Sequence, residues 1–68
     1  MSVAKVIEVK ATSNKSFDDA VVQGISRAAD SLDDVAGAWI QDQQVTVSKG
    51  KITEYRVTLK VTFVLKKS

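Results

Sequence analysis

Apolar and polar residues alternate most regularly towards the end of the chain. Thr53, Tyr55, Val57, Leu59, Val61, Phe63 and Leu65 interleave with Glu54, Arg56, Thr58, Lys60 and Thr62. Successive side chains of a strand point to opposite faces, so this period of two predicts one long, half-buried strand. Tyr55 and Phe63 fall on its apolar, core-facing side. A second β-like stretch opens the chain: residues 3–11 are rich in β-branched residues with charges between them, and Ile7 and Val9 share the face that Glu8 does not. Between these two stretches the period changes. Phe17, Val21, Ile25, Ala28 and Leu32 recur at spacings of three and four, the stripe of an amphipathic helix over residues 17–32. Ser16 is placed to cap it, with Asp19 three residues on as a capping-box carboxylate, and Asp18 and Asp19 suit the positive end of the helix dipole. Gly24 lies beside the stripe, where glycine is worse than alanine by about 1 kcal/mol unless the helix must approach a sheet closely. Residues 37–48 read as a strand of mixed polarity, and Lys49-Gly50-Lys51 as the turn of a hairpin.

The order strand, helix, strand, strand makes one α+β domain spanning residues 1–68. A strand of 13 residues reaches about 43 Å at roughly 3.3 Å per residue. The helix covers only about 24 Å at 1.5 Å per residue. One helix therefore leaves part of the hairpin's apolar face bare, and self-association is the expected remedy. A 68-residue chain without cysteine or proline points the same way, because a lone core of that size supplies about 3–5 kcal/mol at most.

Composition narrows the chemistry. The chain has neither cysteine nor histidine, which removes thiolate nucleophiles, imidazole bases and ordinary zinc sites. Its charge is divided. Residues 16–34 carry five aspartates against Arg27, a balance of −4, and the rest of the chain is +6. The basic residues are scattered, with only Lys66 and Lys67 adjacent and no aromatics interleaved, so nucleic acid is not the expected partner. No apolar run is long enough to cross a membrane. The cytoplasm is the expected location, since the opening lacks a signal-peptide pattern and the chain lacks cysteine. The carboxylates outside the helical region, Glu8, Asp42 and Glu54, accompany no nucleophile and no glycine-rich phosphate loop, so an enzyme is not expected.

The opening V-A-K-V-I-E-V, the run T-S-x-x-S-F-x-x-A from Thr12 to Ala20, and above all K-I-T-E-Y-R-V-T-L-K-V-T-F-V-L from Lys51 to Leu65 resemble the dodecin family over nearly the whole chain. The resemblance implies a β-α-β-β fold whose three-stranded antiparallel sheet partly wraps one helix. It further implies twelve copies assembled as a hollow sphere, a homododecamer. Flavin-binding members hold riboflavin, FMN, FAD or lumichrome in pairs near two-fold axes and serve as buffers or sinks. There a tryptophan opening the second strand stacks on the flavin, and a glutamine following the aromatic residue of the third strand reads its pyrimidine edge. Ungapped alignment from Thr53 to Phe63 puts Gly37 at the tryptophan position and Arg56 at the glutamine position.

Trp39 is the chain's one tryptophan. Strand alternation predicts that it shares a face with Gly37, about 7 Å further along. The expected binding residues for FMN or riboflavin are therefore Trp39 as a displaced stacking face, Gln41 and Gln43 as amides on the same face, and Arg56 for a flavin phosphate or carbonyl, with Gly37 beside them. Burial of Trp39 between subunits competes with stacking, and pairing of Arg56 with Asp42 or Glu54 competes with ligand contact. Asp30, Asp33 and Asp34 offer hard oxygen ligands without a recognisable calcium loop, so a shell of the same architecture that is structural or holds ions is the alternative. A third reading is an interaction domain whose strand edge pairs with another protein.

Overall fold

The computed structural model describes residues 3–32 and 34–65. The predicted order holds: β1 (Val3–Ser13), α1 (Phe17–Ser31), β2 (Val35–Ser48) and β3 (Lys51–Leu65). The sheet order is β1-β3-β2, both pairings antiparallel, so the strand with the clearest alternation is the central one. A strand bonded on both sides buries the most, and Val57, Leu59 and Val61 are fully enclosed.

Ser16 caps α1 as expected, its hydroxyl accepting the Asp19 N–H at 2.9 Å. The reciprocal half of the capping box does not form. The Asp19 carboxylate instead accepts from the Ser13 hydroxyl at 2.5 Å and from the Gln23 amide at 2.8 Å. Ser13 Oγ also accepts the Lys15 N–H at 2.9 Å, which fastens the end of β1 to the first turn of the helix. These contacts act on Asp19, the Ser13 hydrogen bond most of all, and hold its carboxyl below the ordinary aspartate value.

The helix lies over β1 and β3 and barely reaches β2. The middle of its buried face is Ala20, Gly24 and Ala28, with Phe17, Val21, Ile25 and Leu32 packed along the sides. Small residues at four-residue spacing let the helix axis sink towards the sheet. A β-carbon on Gly24 would lie 2.9 Å from Leu59 Cδ1 and 3.1 Å from Ala11 Cβ. Phe17 adds an edge-to-face contact with half-buried Tyr55, ring centroids 5.1 Å apart, and Phe63 is buried as the alternation predicts.

The hairpin turn is tighter than the sequence suggests. Ser48 pairs with Lys51, leaving Lys49 (φ 53°) and Gly50 (φ 76°) as a two-residue turn with both residues left-handed. The far half of the hairpin has no helix over it. Val45, Val47 and Ile52 face the helix side of the sheet beyond the reach of α1, and 57% of Val47 and 51% of Ile52 is exposed. The described residues extend 54 × 19 × 13 Å, so the overhang expected from strand and helix lengths is present.

Candidate functional site

The face of the sheet without the helix collects most of the chemistry-bearing residues. Directly paired residues share a face, so the register sets out the rows across it: Val6, Thr62, Gly37; then Glu8, Lys60, Trp39; then Lys10, Thr58, Asp42; then Thr12, Arg56, Gln44. Trp39 stands 67% exposed on the edge strand, opposite Lys60, whose ammonium is held 3.2 Å from the Glu8 carboxylate. Gly37 precedes it on the same face, and a β-carbon there would meet nothing within 4 Å. An exposed indole beside a position with no side chain forms a flat apolar ledge with an ion pair at its inner margin.

Alternation alone misplaces Gln43. The register of β2 against β3 slips between Val35 and Gly37, between Ile40 and Asp42, and between Thr46 and Val47. Each slip leaves one residue unpaired and turns the rest of the strand over. Gln41 is the extra residue of the second slip. Beyond it Gln43 pairs with Val57 and lies on the helix side, away from Trp39. Gln44, opposite Arg56, takes the tryptophan's face instead of Gln43, and sequence reasoning passed over it because no local signal announces the bulge. Gly37 and Trp39 do share a face, as expected. The third slip corrects the long strand likewise: Thr53 drops out of the pairing and donates its hydroxyl to the Thr46 carbonyl at 3.1 Å, and Ile52 takes the apolar place opposite Val47.

Arg56 lies on the right face but not beside the indole. It is four residues along β3 from Lys60, roughly 13 Å at 3.3 Å per residue. Its guanidinium sits 3.6 Å from Glu54 of the same strand, not against Asp42, which pairs with Thr58. Within one chain the structure brings Trp39, Gly37 and Lys60 together, leaves Arg56 and Gln43 apart from them, and leaves Gln41 unpaired at the slip.

Among the described residues no group of three or more carboxylates is gathered as a metal centre. Asp30 is exposed on α1 and Asp34 in the connection after it, where the Asp34 carbonyl accepts the Val64 N–H at 3.1 Å. Asp33, the third member of the proposed acidic set, and the Lys66-Lys67 pair lie outside the described residues. No described helix is long and apolar enough to cross a membrane.

Comparison with known proteins bears on the same residues. The dodecin family model matches residues 3–66. The chain is 45% identical over 64 residues to the calcium dodecin of Mycobacterium tuberculosis, a match covering 93% of this chain and 89% of that protein. A crystal structure of calcium dodecin from the same organism, described as a calcium-chelating immunodominant antigen with a novel calcium-binding site, superposes with a TM-score of 0.82 at 40% identity, covering 98% and 96% of the two chains. Dodecin from Streptomyces davaonensis superposes with a TM-score of 0.92 at 27% identity, covering 97% of each chain.

Proposed function

Since the chain belongs to the dodecin family, we propose that it works as a self-assembled shell, a homododecamer, that binds and stores a small ligand and catalyses nothing. The uncovered far half of the hairpin supports assembly, because Val45, Val47 and Ile52 have no cover within one chain. For the ligand, the geometry favours a flat aromatic of the flavin class, FMN or riboflavin. The observation that carries this reading is Trp39, a large aromatic face left open on the helix-free side with the side-chain-less Gly37 next to it. The ring would stack on the indole of one copy, and groups from a neighbouring copy, Arg56 or Gln44 among them, would meet its polar edge.

A second reading has its own observation. The Mycobacterium tuberculosis relative at 45% identity is a calcium dodecin. In this reading the shell stores a divalent cation, coordinated by carboxylates contributed by several copies at a symmetry axis.

One titration series separates the two. Riboflavin or FMN is added to the purified assembly and flavin fluorescence is followed, with the wild type set beside Trp39→Ala. Stacking on the indole quenches flavin emission in the wild type and fails in the variant. Absence of quenching at micromolar protein, or quenching that survives Trp39→Ala, overturns the flavin reading. Calcium added to the same sample in a calorimeter tests the cation reading, which fails if no heat of binding is observed.

A further inference from the structure

Two apolar surfaces of the chain lack cover, and they lie on different elements. The first is the far end of the hairpin on the helix side of the sheet, Val45, Val47 and Ile52. The second is on the helix. Val22 comes two residues after buried Ala20, about 200° around the axis at 3.6 residues per turn. It points away from the sheet and is 65% exposed. Half-buried Ile25 and exposed Ala29 continue the same flank at spacings of three and four. A helix that only closed its own domain would carry polar residues there. The chain's own hairpin cannot cover Val22, because it belongs to the sheet on the other side of the helix.

Charge distinguishes the two surfaces. The hairpin end is basic. Lys49 and Lys51 stand at its tip, both exposed and neither in an ion pair among the described residues. The helix flank is acidic. Asp18 lies one turn before Val22 and Asp30 follows Ala29, both exposed and likewise outside any ion pair among the described residues. The last turn of α1 has no basic residue to meet the negative end of its dipole. Arg27, the one cation of α1, lies on the β1 side of the helix beside Val9 and Ala11.

We infer that the hairpin end of one copy seats on the outer flank of α1 of a second copy, with Val47 and Ile52 against Val22, Ile25 and Ala29 and the tip lysines towards Asp18 and Asp30. This rests on the self-assembly reading and names the two surfaces that meet. Apolar patches rimmed by charge are the usual mark of such contacts, and opposite rim charges fix their orientation. The patches are unlike, so each chain offers a hairpin and receives one. Head-to-tail contacts of this kind close into rings when the rotation allows. Hairpin end on hairpin end is the poorer arrangement, because it gathers the tip lysines of both copies around one apolar patch.

The chain has no cysteine, so introduced thiols report the contact without background. Val22→Cys and Val47→Cys, both at exposed positions, are made separately and also co-expressed, and each sample is treated with a short bismaleimide. Covalent dimers form in the co-expressed sample and are lost in either variant alone, since like positions do not meet. Light scattering checks that each sample keeps the wild-type mass, and Ile52→Cys replaces Val47→Cys if that variant does not. Reversing both tip lysines, Lys49→Glu with Lys51→Glu, raises the protein concentration at which the assembly dissociates by about tenfold, and adding Asp18→Lys and Asp30→Lys to the same chain restores it. The assignment is overturned if Val47→Cys links to itself, if an assembled co-expressed sample gives no link, or if the aspartate reversals deepen the lysine defect. A wild type that stays a single chain in light scattering removes the shell reading and this contact with it. An assembled wild type without the link removes this contact alone.

Discussion

Replacing Gly24 with alanine sets two opposed effects against each other at one position. In an open helix the change gains about 1 kcal/mol, because glycine is the poorer helix former. Here the new methyl group meets Leu59 Cδ1 at 2.9 Å and Ala11 Cβ at 3.1 Å. Carbon atoms in contact rest about 3.5–4.0 Å apart, so the tip of Leu59 has to retreat by about 0.6–1 Å. Leu59 is fully buried, so its tip moves only against packed neighbours. The Ala11 methyl is fixed to the strand backbone and yields only if helix and sheet part. Overpacking of this kind costs about 1–3 kcal/mol, and setting the helix gain against it leaves a net destabilisation of about 1 kcal/mol. The pair Gly24→Ala and Leu59→Val isolates the cause. Removing Cδ1 costs stability by itself, about 1 kcal/mol, but it takes away the nearer obstacle. Gly24→Ala is then less harmful than in the wild type, with a coupling of about 1 kcal/mol. The assay is urea unfolding followed by far-UV dichroism at one fixed protein concentration, since an assembling chain has concentration-dependent stability. If Gly24→Ala stabilises the wild type by the full helix-propensity gain, or if the two substitutions are additive, the close approach of helix and sheet does not govern this position.

Other perturbations test separate parts of the structure. Ser16→Ala removes the helix cap and costs about 1 kcal/mol in the same unfolding assay. The Asp19 carboxyl is held below its ordinary value chiefly by Ser13, so its contribution is fully present above about pH 4 and is lost as the pH falls through the lowered value; Asp19→Asn flattens the acid limb of the stability curve, measured by dichroism between neutral pH and acid. Gly50→Ala places a side chain on a left-handed residue (φ 76°) and costs about 1–2 kcal/mol, read as a lower unfolding midpoint. Val47→Asp puts a charge on the uncovered end of the hairpin, at a side chain already 57% exposed in the single chain. It shifts the light-scattering mass downward, and an unchanged mass would mean that this surface does not join copies.

The parts of the fold legible in the sequence are those that one element's periodicity decides. The alternation of β3 located the central strand, and the stripe from Phe17 to Leu32 located the helix within a residue of its observed end. The length of β3 against α1 foretold an uncovered hairpin, which is present at Val45, Val47 and Ile52. The candidate site was less legible, because face assignment on β2 depends on an unbroken count. Gly37 and Trp39 lie between two slips and keep their relation. Gln43 lies beyond Gln41 and loses it to Gln44. A bulge answers to the twist of paired strands, not to residue type, so neither Gln41 nor Thr53 differs visibly from its neighbours in sequence. Gly24 was legible as an anomaly, a helix breaker in a helix, but its cause lies on other strands, in Leu59 and Ala11.

The proportions of the subunit bear on how it survives in a cell. A lath 54 Å long and 13 Å thick has much rind and little interior. If its copies supply the missing cover, dilution acts on it as a denaturant, and folding and company form a single equilibrium. Newly made chains then stay open to proteases along the hairpin until enough siblings accumulate. The steady amount of protein follows a threshold in the rate of synthesis, not a straight line.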